Sequence, residues 1–504
     1  MGGAERTVAT ALLLEALGPA AVHGELPGAV AGLAYDSRRV RAGDWFFALS
    51  GRRCDGAAFA DAARRAGAAV VVAERATGGA PEVLVPDART GLARAAARFY
   101  GEPSRRLRMV GITGTNGKTT CSWLVHAVLE AAGTPAAVVG TVGAFLAGGG
   151  GPTGFTTPEA LELNRLLAET AERGAAAAVL EVSSHGLALK RSYGVAFDVT
   201  VFTNLTQDHL DFHGTLAEYL DAKLRLFDGR NGAAGVKPTV AVVHAADPHA
   251  AAVIAAARRG AQRVVTYAVR GPADVRAQDV HADARGARFT VCDAEGRHPA
   301  AIRLSGEFNV ENALAAWAVG AALGVPAAAR ATGLERLAGV PGRLEPVDAG
   351  QPFAVYVDYA HTPDALERVL AAVRPLARGR VHVLFGAGGD RDPGKRPQMG
   401  AAAARLADRV VLTSDNPRSE DPLVILAAIR AGVAVGAGER FEIEPDRRLA
   451  IARVLAAAAP GDVVVLAGKG HETTQTVGAE VRHFDDREEA RAVLARLAVG
   501  AAGA

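Results

Sequence analysis

The chain has 504 residues, of which 49% are hydrophobic and 22% charged, and its 56 basic and 54 acidic side chains leave a net charge of +2. That length implies about three domains, each large enough to bury a core, and so even a balance excludes a protein held to nucleic acid or a membrane by bulk charge. Cys54, Cys121 and Cys292 are scattered, which excludes a disulfide framework or a paired-cysteine metal site and fits a reducing, cytoplasmic compartment.

In chain order, residues 8–14 are apolar but run into Glu15, and they predict a short amphipathic helix rather than a leader or a membrane span. Residues 45–49 and 69–73 read as strands, and Glu102-Pro103-Ser104 reads as the linker closing a first domain over 1–107. A second domain, 108–339, opens with a strand over 107–113, a glycine-rich turn and a helix over 118–131. Strands at 178–182, 199–204 and 239–244 alternate with helical stretches, which implies parallel pairing by crossover. The four glycines at 148–151 read as a flexible loop, and 310–323 reads as a helix. A third domain, 340–504, alternates strands at 353–358, 381–386, 410–413 and 463–467 with helices at 363–373, 396–407, 422–431 and 447–458. That pattern is doubly wound, and its ligands should gather at the carboxyl ends of the strands. The fold class is therefore α/β.

The sharpest chemical signal is GITGTNGKTT at 111–120. Gly114 and Gly117 let backbone N–H groups turn toward an anion without Cβ clashes, and the helix that follows adds its positive N-terminal end. Lys118 can reach the outer phosphates of a nucleotide, and Thr119 can offer its hydroxyl to Mg²⁺. Thr115, Asn116 and Thr120 complete the expected ATP loop. The strict phosphate-loop pattern would need glycine at Ile112, so this is a variant. Such a loop alone is compatible with transporters, GTPases, kinases and ligases.

Other segments narrow that choice. TTPE at 156–159, EVSSHGL at 181–187, FTNLTQDHLDFHG at 202–214 and EYLDAKLRLF around Lys223 are followed by GEFNVENALAA at 306–316 and PGRLEPV at 341–347. VDYAHTPDAL at 357–366, GAGGDRDPGKRP at 386–397, DNPR at 415–418 and GKGHE at 468–472 complete the series. With the loop at 113–120, this ordered set resembles the Mur ligases and their folylpolyglutamate synthase relatives, across all three blocks. The resemblance implies a three-domain architecture, with a UDP-sugar-binding domain, a central ATPase-like parallel sheet and a C-terminal Rossmann-like domain. It implies ATP-dependent addition of meso-2,6-diaminopimelate to UDP-N-acetylmuramoyl-L-alanyl-D-glutamate in peptidoglycan precursor synthesis, by a monomer using ATP and Mg²⁺, with no nucleic-acid partner and no membrane insertion.

Carried onto this chain, the resemblance assigns Lys118, His209, Lys223 and Arg343 to catalysis. Glu181, near the end of an apolar strand, suits Mg²⁺ through oxygen, and the resemblance adds Thr119, His209 and Lys223 to the metal site. Composition alone makes Lys223 an ordinary helix-surface lysine, whereas the resemblance implies that it carries a CO₂-derived carbamate. An unmodified ammonium there would repel a metal ion. Asn309 is implied at the adenine. Asp358 and His361 follow a strand end, where a nucleotide is expected, and the planar guanidinium of Arg343 suits a transferring phosphate.

The resemblance places Tyr35 and Ser37 in YDSR at the UDP-sugar, and Arg52, Arg53 and Cys54 match further uridine-contacting positions, although solvated surface arginines are the default reading of Arg52 and Arg53. Thr156, Thr157, Ser183 and Arg191 match positions at the muramoyl-peptide end. Diaminopimelate differs from lysine by a second amino–carboxylate end, so rejecting lysine needs groups left unpaired without it. Arg418 can fork a carboxylate and Pro417 stiffens its loop. Arg391, Asp415, Asn416, Gly468 and Glu472 complete the implied pocket. The alternatives are a lysine-adding or folylpolyglutamate-forming ligase and, in another class, a regulatory P-loop NTPase without ligase activity.

Overall fold

A computed structural model of the chain describes residues 6–51, 54–146, 149–283, 286–433 and 440–502. Its strands gather into three principal sheets. The first has the order Ala21–His23, Glu82–Leu84, Val70–Ala73, Asp44–Phe47, Gly32–Ala34. All neighbours are parallel except the outer pair formed by Ala21–His23 and Glu82–Leu84. Trp45 and Phe47 enter one core and Phe46 the other, the period-two alternation of a strand covered on both faces.

The second sheet has eleven strands. Arg108–Thr113 lies at its centre, parallel to Ala177–Glu181 on one side and Val199–Phe202 on the other. Val110 and Ile112 face one core, and Met109 faces the opposite one. Helix Lys118–Ala131 packs under this centre against helices Glu307–Ala322 and Ala327–Arg336. An antiparallel extension, Val275–Asp283, Gly286–Asp293 and Gly296–Ile302, continues the sheet at one edge. It is tied back by buried Trp317, whose indole N–H donates to Asp293 at 2.7 Å.

The third sheet runs Glu345–Pro346, Ala354–Asp358, Val463–Ala467, Val381–Phe385, Arg409–Leu412, Phe441–Ile443. It is parallel apart from its first pair and has a core on each face. The out-of-sequence position of Val463–Ala467 leaves a crevice at the carboxyl ends of the strands. No helix among the described residues is long and apolar enough to cross a membrane.

Three expectations change. Val8–Ala9 is a strand paired with Ala29–Val30, so the first helix starts later, at Thr10–Leu17, burying Leu13 and Leu17 one turn apart. Pro103–Arg106 is a helical turn rather than a linker: buried Ser104 accepts the N–H of Ala196 at 3.2 Å, docking the junction. Gly149–Gly151 is not a loop but a strand paired with Gly143–Leu146, where sheet hydrogen bonding overrides the intrinsic freedom of glycine. Gly148 lies outside the described residues.

Candidate active site

The loop after Thr113 turns through two positions that only glycine fits. At Gly114 (φ +154°) a Cβ would lie 1.8 Å from the Thr203 hydroxyl, and at Gly117 (φ +85°) it would lie 2.5 Å from Asn312 Oδ1. Lys118 folds back so that Nζ donates to the carbonyls of Gly114 and Thr115, both at 2.9 Å. Lys223 arrives from helix Leu216–Leu224, which is fixed by a Thr215–Glu218 capping box. Its Nζ donates to the same Gly114 oxygen at 2.8 Å and lies 4.4 Å from the centre of the Tyr219 ring. Composition would place Lys223 on the surface, yet it is 1% exposed. Burial, and then the adjacent Lys118, push its ammonium well below the ordinary lysine range. Burial likewise lowers Lys118.

Glu181 is the last residue of its strand and is fully surrounded. Its Oε2 accepts the hydroxyls of Thr119 at 3.0 Å and Thr141 at 2.9 Å, and its Oε1 accepts the Thr141 N–H at 3.0 Å. Arg343, from the third sheet's unit, donates to the Thr119 hydroxyl at 3.0 Å. The sequence reading missed Thr141. Its position directly after the apolar strand Ala136–Gly140 is the signal that could have found it, since side chains at that end of a parallel sheet face the ligand. Thr156 Oγ1 lies 3.1 Å from Thr141 Oγ1. The Thr157 hydroxyl donates to the Glu181 carbonyl at 2.9 Å and lies 3.0 Å from Ser183 Oγ, and Arg191 donates to the Thr157 carbonyl at 3.1 Å. Four residues expected at the muramoyl-peptide end thus adjoin the expected metal carboxylate.

His209 (φ +56°) lies 3.4 Å from Asp208 Oδ2. Burial pushes this imidazole down to about 4 against the pull of Asp208. Burial opposes ionisation of Asp208 as well, but His209, His361 and Lys395 outweigh it and hold the carboxyl at about 2. His361 is also held down to about 4 by burial and Lys395, with Nδ1 2.8 Å from the Tyr359 carbonyl. Lys395, a buried ammonium at the start of helix Lys395–Leu406, was not singled out from the sequence. Both oxygens of Asp358 are engaged by backbone, the N–H groups of Leu344 at 2.7 Å and Ala360 at 2.8 Å. That carboxylate therefore fixes the turn carrying Arg343.

Asn309 and Asn312 lie in the first turns of helix Glu307–Ala322. The Asn309 amide donates to Ser305 O at 2.8 Å and accepts Asn312 Nδ2 at 3.0 Å. With Asn116, Thr120, Arg343 and Asp358 they line a cleft beside the loop. Asn116 Nδ2 crosses to the third sheet's unit, donating to Asp364 at 2.7 Å.

The DNPR segment gathers beyond Tyr359. A Cβ on Gly468 (φ +107°) would meet Asp415 Oδ2 at 2.5 Å, and that oxygen is buried with no hydrogen-bond partner among the described residues. Asn416 donates to Glu472 at 2.8 Å, and burial together with Asp415 raises the Glu472 carboxyl. Pro417 is buried. Arg418 (φ +51°) donates to the Gly389 carbonyl at 2.7 Å. Arg391 is exposed and turned onto the Asp390 carbonyl at 3.0 Å, on the rim. The rings of Tyr359 and His471 are 5.0 Å apart, and Arg343 stands 4.8 Å over Tyr359. This cluster thus runs continuously into the phosphate loop.

Tyr35 and Ser37 are the outliers. Tyr35 meets Glu162 in a groove between the first sheet's unit and helix Ala160–Glu172, and Ser37 opens a short turn beside it. The two ends are bridged by that helix: Glu159 at its start pairs with Arg191 at 2.8 Å, and Glu162 pairs with Arg39 at 3.3 Å. Arg52 and Arg53 lie outside the described residues, and Cys54 is an exposed free thiol. A separate acidic group, Asp293, Glu295 and His298, is already filled by the Arg330 guanidinium.

The chain matches the Mur ligase middle domain over residues 112–320, the Mur ligase glutamate ligase domain over 342–470 and the Mur ligase family catalytic domain over 29–100. The chain belongs to the Mur ligase family. It is similar to a UDP-N-acetylmuramyl-tripeptide synthetase of Roseiflexus sp. (strain RS-1), 46% identical over 488 residues, with 94% of this chain and 96% of that one covered. It is similar to the UDP-N-acetylmuramoyl-L-alanyl-D-glutamate–2,6-diaminopimelate ligase of Geobacillus kaustophilus (strain HTA426), 45% identical with 94% and 96% covered. A solved structure of a ligase with that second name superposes with a TM-score of 0.68 at 35% identity, covering 97% of this chain and 99% of that chain. In this Mur ligase the donor set fits a nucleotide with a hard cation. The Gly114 and Gly117 cradle would be filled by any Cβ, and Thr119 and Glu181 supply the oxygen ligands that Mg²⁺ prefers.

Proposed function

We propose that this Mur ligase adds meso-2,6-diaminopimelate to UDP-N-acetylmuramoyl-L-alanyl-D-glutamate. The observation that carries the reading is the acidic pair Asp415 and Glu472 gathered at the loop that carries Arg418. Asp415 Oδ2 is buried with no hydrogen-bond partner among the described residues, burial and then Asp415 raise the Glu472 carboxyl, which pairs with Lys469 at 3.2 Å, and Arg418 carries a guanidinium on the same loop as Asp415. One ammonium, Lys469, against two carboxyl groups leaves negative charge that suits a second ammonium, and the Arg418 guanidinium suits a carboxylate. Diaminopimelate carries both at its second end and lysine does not. Residues 1–107, 108–339 and 340–504 form the sugar-nucleotide, ATP and amino-acid domains of a cytoplasmic monomer.

In this reading the substrate carboxylate attacks the γ-phosphorus of ATP, ADP departs, and the incoming amine attacks the acyl carbon. Phosphate then leaves, and the amine proton passes to a base or to water. Thr119, Glu181, His209 and carbamylated Lys223 would hold Mg²⁺, which would supply charge neutralisation at the phosphates. Lys118 and Arg343 bring fixed positive charge to the transferring group from opposite domains. The depressed pKa of Lys223 leaves a larger fraction of free amine, the form that reacts with CO₂. Asn309, Asp358 and His361 face the nucleotide. Tyr35, Ser37, Thr156, Thr157, Ser183 and Arg191 hold the UDP-muramoyl dipeptide. The test is phosphate release from ATP with that dipeptide, comparing meso-diaminopimelate with L-lysine. Release that is equal with both, or independent of either, refutes the reading.

A further inference from the structure

The loop 415–418 is held by an element that the proposed reaction does not use, the antiparallel hairpin Thr474–Val477 and Glu480–His483. Gln475 is 1% exposed. Its Nε2 donates to the Asp415 carbonyl at 2.8 Å and toward that of Ser414 at 3.4 Å. Its Oε1 accepts Arg482 twice, from Nε at 3.1 Å and Nη2 at 2.6 Å. Arg482 is the residue directly opposite on the hairpin. Since a guanidinium has only donors, this fork fixes which end of the amide is oxygen and therefore aims the NH₂ at the loop. The neighbouring backbone continues the grip. Thr476 N–H donates to Asn416 Oδ1 at 3.0 Å, Arg418 N–H to the Thr476 carbonyl at 3.1 Å, and Gly478 N–H to the Arg418 carbonyl at 2.6 Å.

Arg418 needs such a grip, because a non-glycine residue at φ +51° relaxes to the right-handed or extended region when free. A relaxed Arg418 would swing its guanidinium away from Gly388–Gly389. We propose that Gln475, clamped by Arg482, is a positioning residue for the second end of the incoming amino acid: it acts through the backbone of 414–416 and touches no substrate. The proposal rests on the function proposed above and deepens it by naming what sets the amino-acid selectivity.

The test is steady-state kinetics of the full chain carrying Gln475→Met, which keeps length and volume but loses the donor. The KM for meso-diaminopimelate is expected to rise about tenfold, the scale of one lost buried hydrogen bond. The KM values for ATP and the UDP-muramoyl dipeptide and the saturated kcat stay within about twofold, as for lost uniform binding. The ratio of kcat/KM for diaminopimelate over lysine falls with it. Arg482→Met, at an exposed position, should shift the same KM in the same direction by less, and it decides the matter if Gln475→Met fails to fold. Gln475→Glu keeps the Arg482 contact without the NH₂ and should behave like Gln475→Met. An unchanged diaminopimelate KM in a folded variant, or an equal rise in all three KM values, overturns the proposal. Wild-type protein without diaminopimelate-dependent phosphate release would instead sink the proposed reaction.

Discussion

Replacing Arg418 by glycine separates binding from folding at the amino-acid pocket. The left-handed backbone at this residue (φ +51°) costs a side-chain-bearing residue roughly 1–2 kcal/mol, and glycine removes that strain. Against this stand the lost charge-assisted bond to Gly389 O (2.7 Å), worth about 1.5–3 kcal/mol, and the greater chain entropy of glycine, about 0.5–1 kcal/mol. The balance is a net loss of at most about 3 kcal/mol, so the variant should stay folded and melt at or somewhat below wild type. Binding should not be spared. A charge-assisted grip on a carboxylate contributes about 1.5–3 kcal/mol, which at about 1.4 kcal/mol per tenfold predicts a roughly 10- to 150-fold rise in the KM for meso-diaminopimelate. L-lysine, lacking that carboxylate, should show kcat/KM changed by less than about threefold, because no charged contact is removed. The assay is ATP-dependent phosphate release at saturating UDP-muramoyl dipeptide, with melting followed in parallel. An unchanged diaminopimelate KM, or an equal loss with lysine, would refute the assignment of Arg418 to the second end.

Lys223→Met should leave the fold as stable or more so, since it removes a buried ionisable group, while turnover falls by about 100-fold or more as a metal-holding group is lost; melting and phosphate release read both, and retained turnover would exclude a role for the lysine. Thr141→Val removes one of the two hydroxyls on Glu181 Oε2 and should lower kcat by about 10- to 100-fold, as for other groups that orient a metal ligand; titration with Mg²⁺ should show a weakened metal dependence. His361 is held down to about 4 from an ordinary 6.5, so the unfolded chain binds the extra proton between those values and the folded one does not. Stability should therefore fall as pH drops from about 6.5 toward 4, by up to about 1.4 kcal/mol per pH unit for this group, and His361→Asn should flatten the melting-temperature profile in that window.

What local pattern can express was legible without coordinates. The helix Lys118–Ala131 and the strand Val463–Ala467 fall where apolar spacing and the glycine turn place them, because period and punctuation are properties of neighbouring residues. The glycines at 149–151 misled for the same reason: their composition speaks of freedom, and only pairing with Gly143–Leu146 makes them a strand.

The site itself was legible mainly as motifs. Lys223 reads as a solvated helix lysine until the fold brings its nitrogen to Gly114, 109 residues away, beside Lys118. Thr141 and Gln475 carry no motif and Lys395 was passed over inside one, and each matters through partners that chain order does not disclose: Glu181, the backbone of Asp415 and Asp208 in turn. The sequence by itself determined which chemical groups were available, the α/β class and the phosphate loop. Tertiary structure decided which of those groups share a crevice and how burial shifts their protons. Desolvation and hydrogen bonding act between atoms a few ångströms apart in space, whatever their separation along the chain.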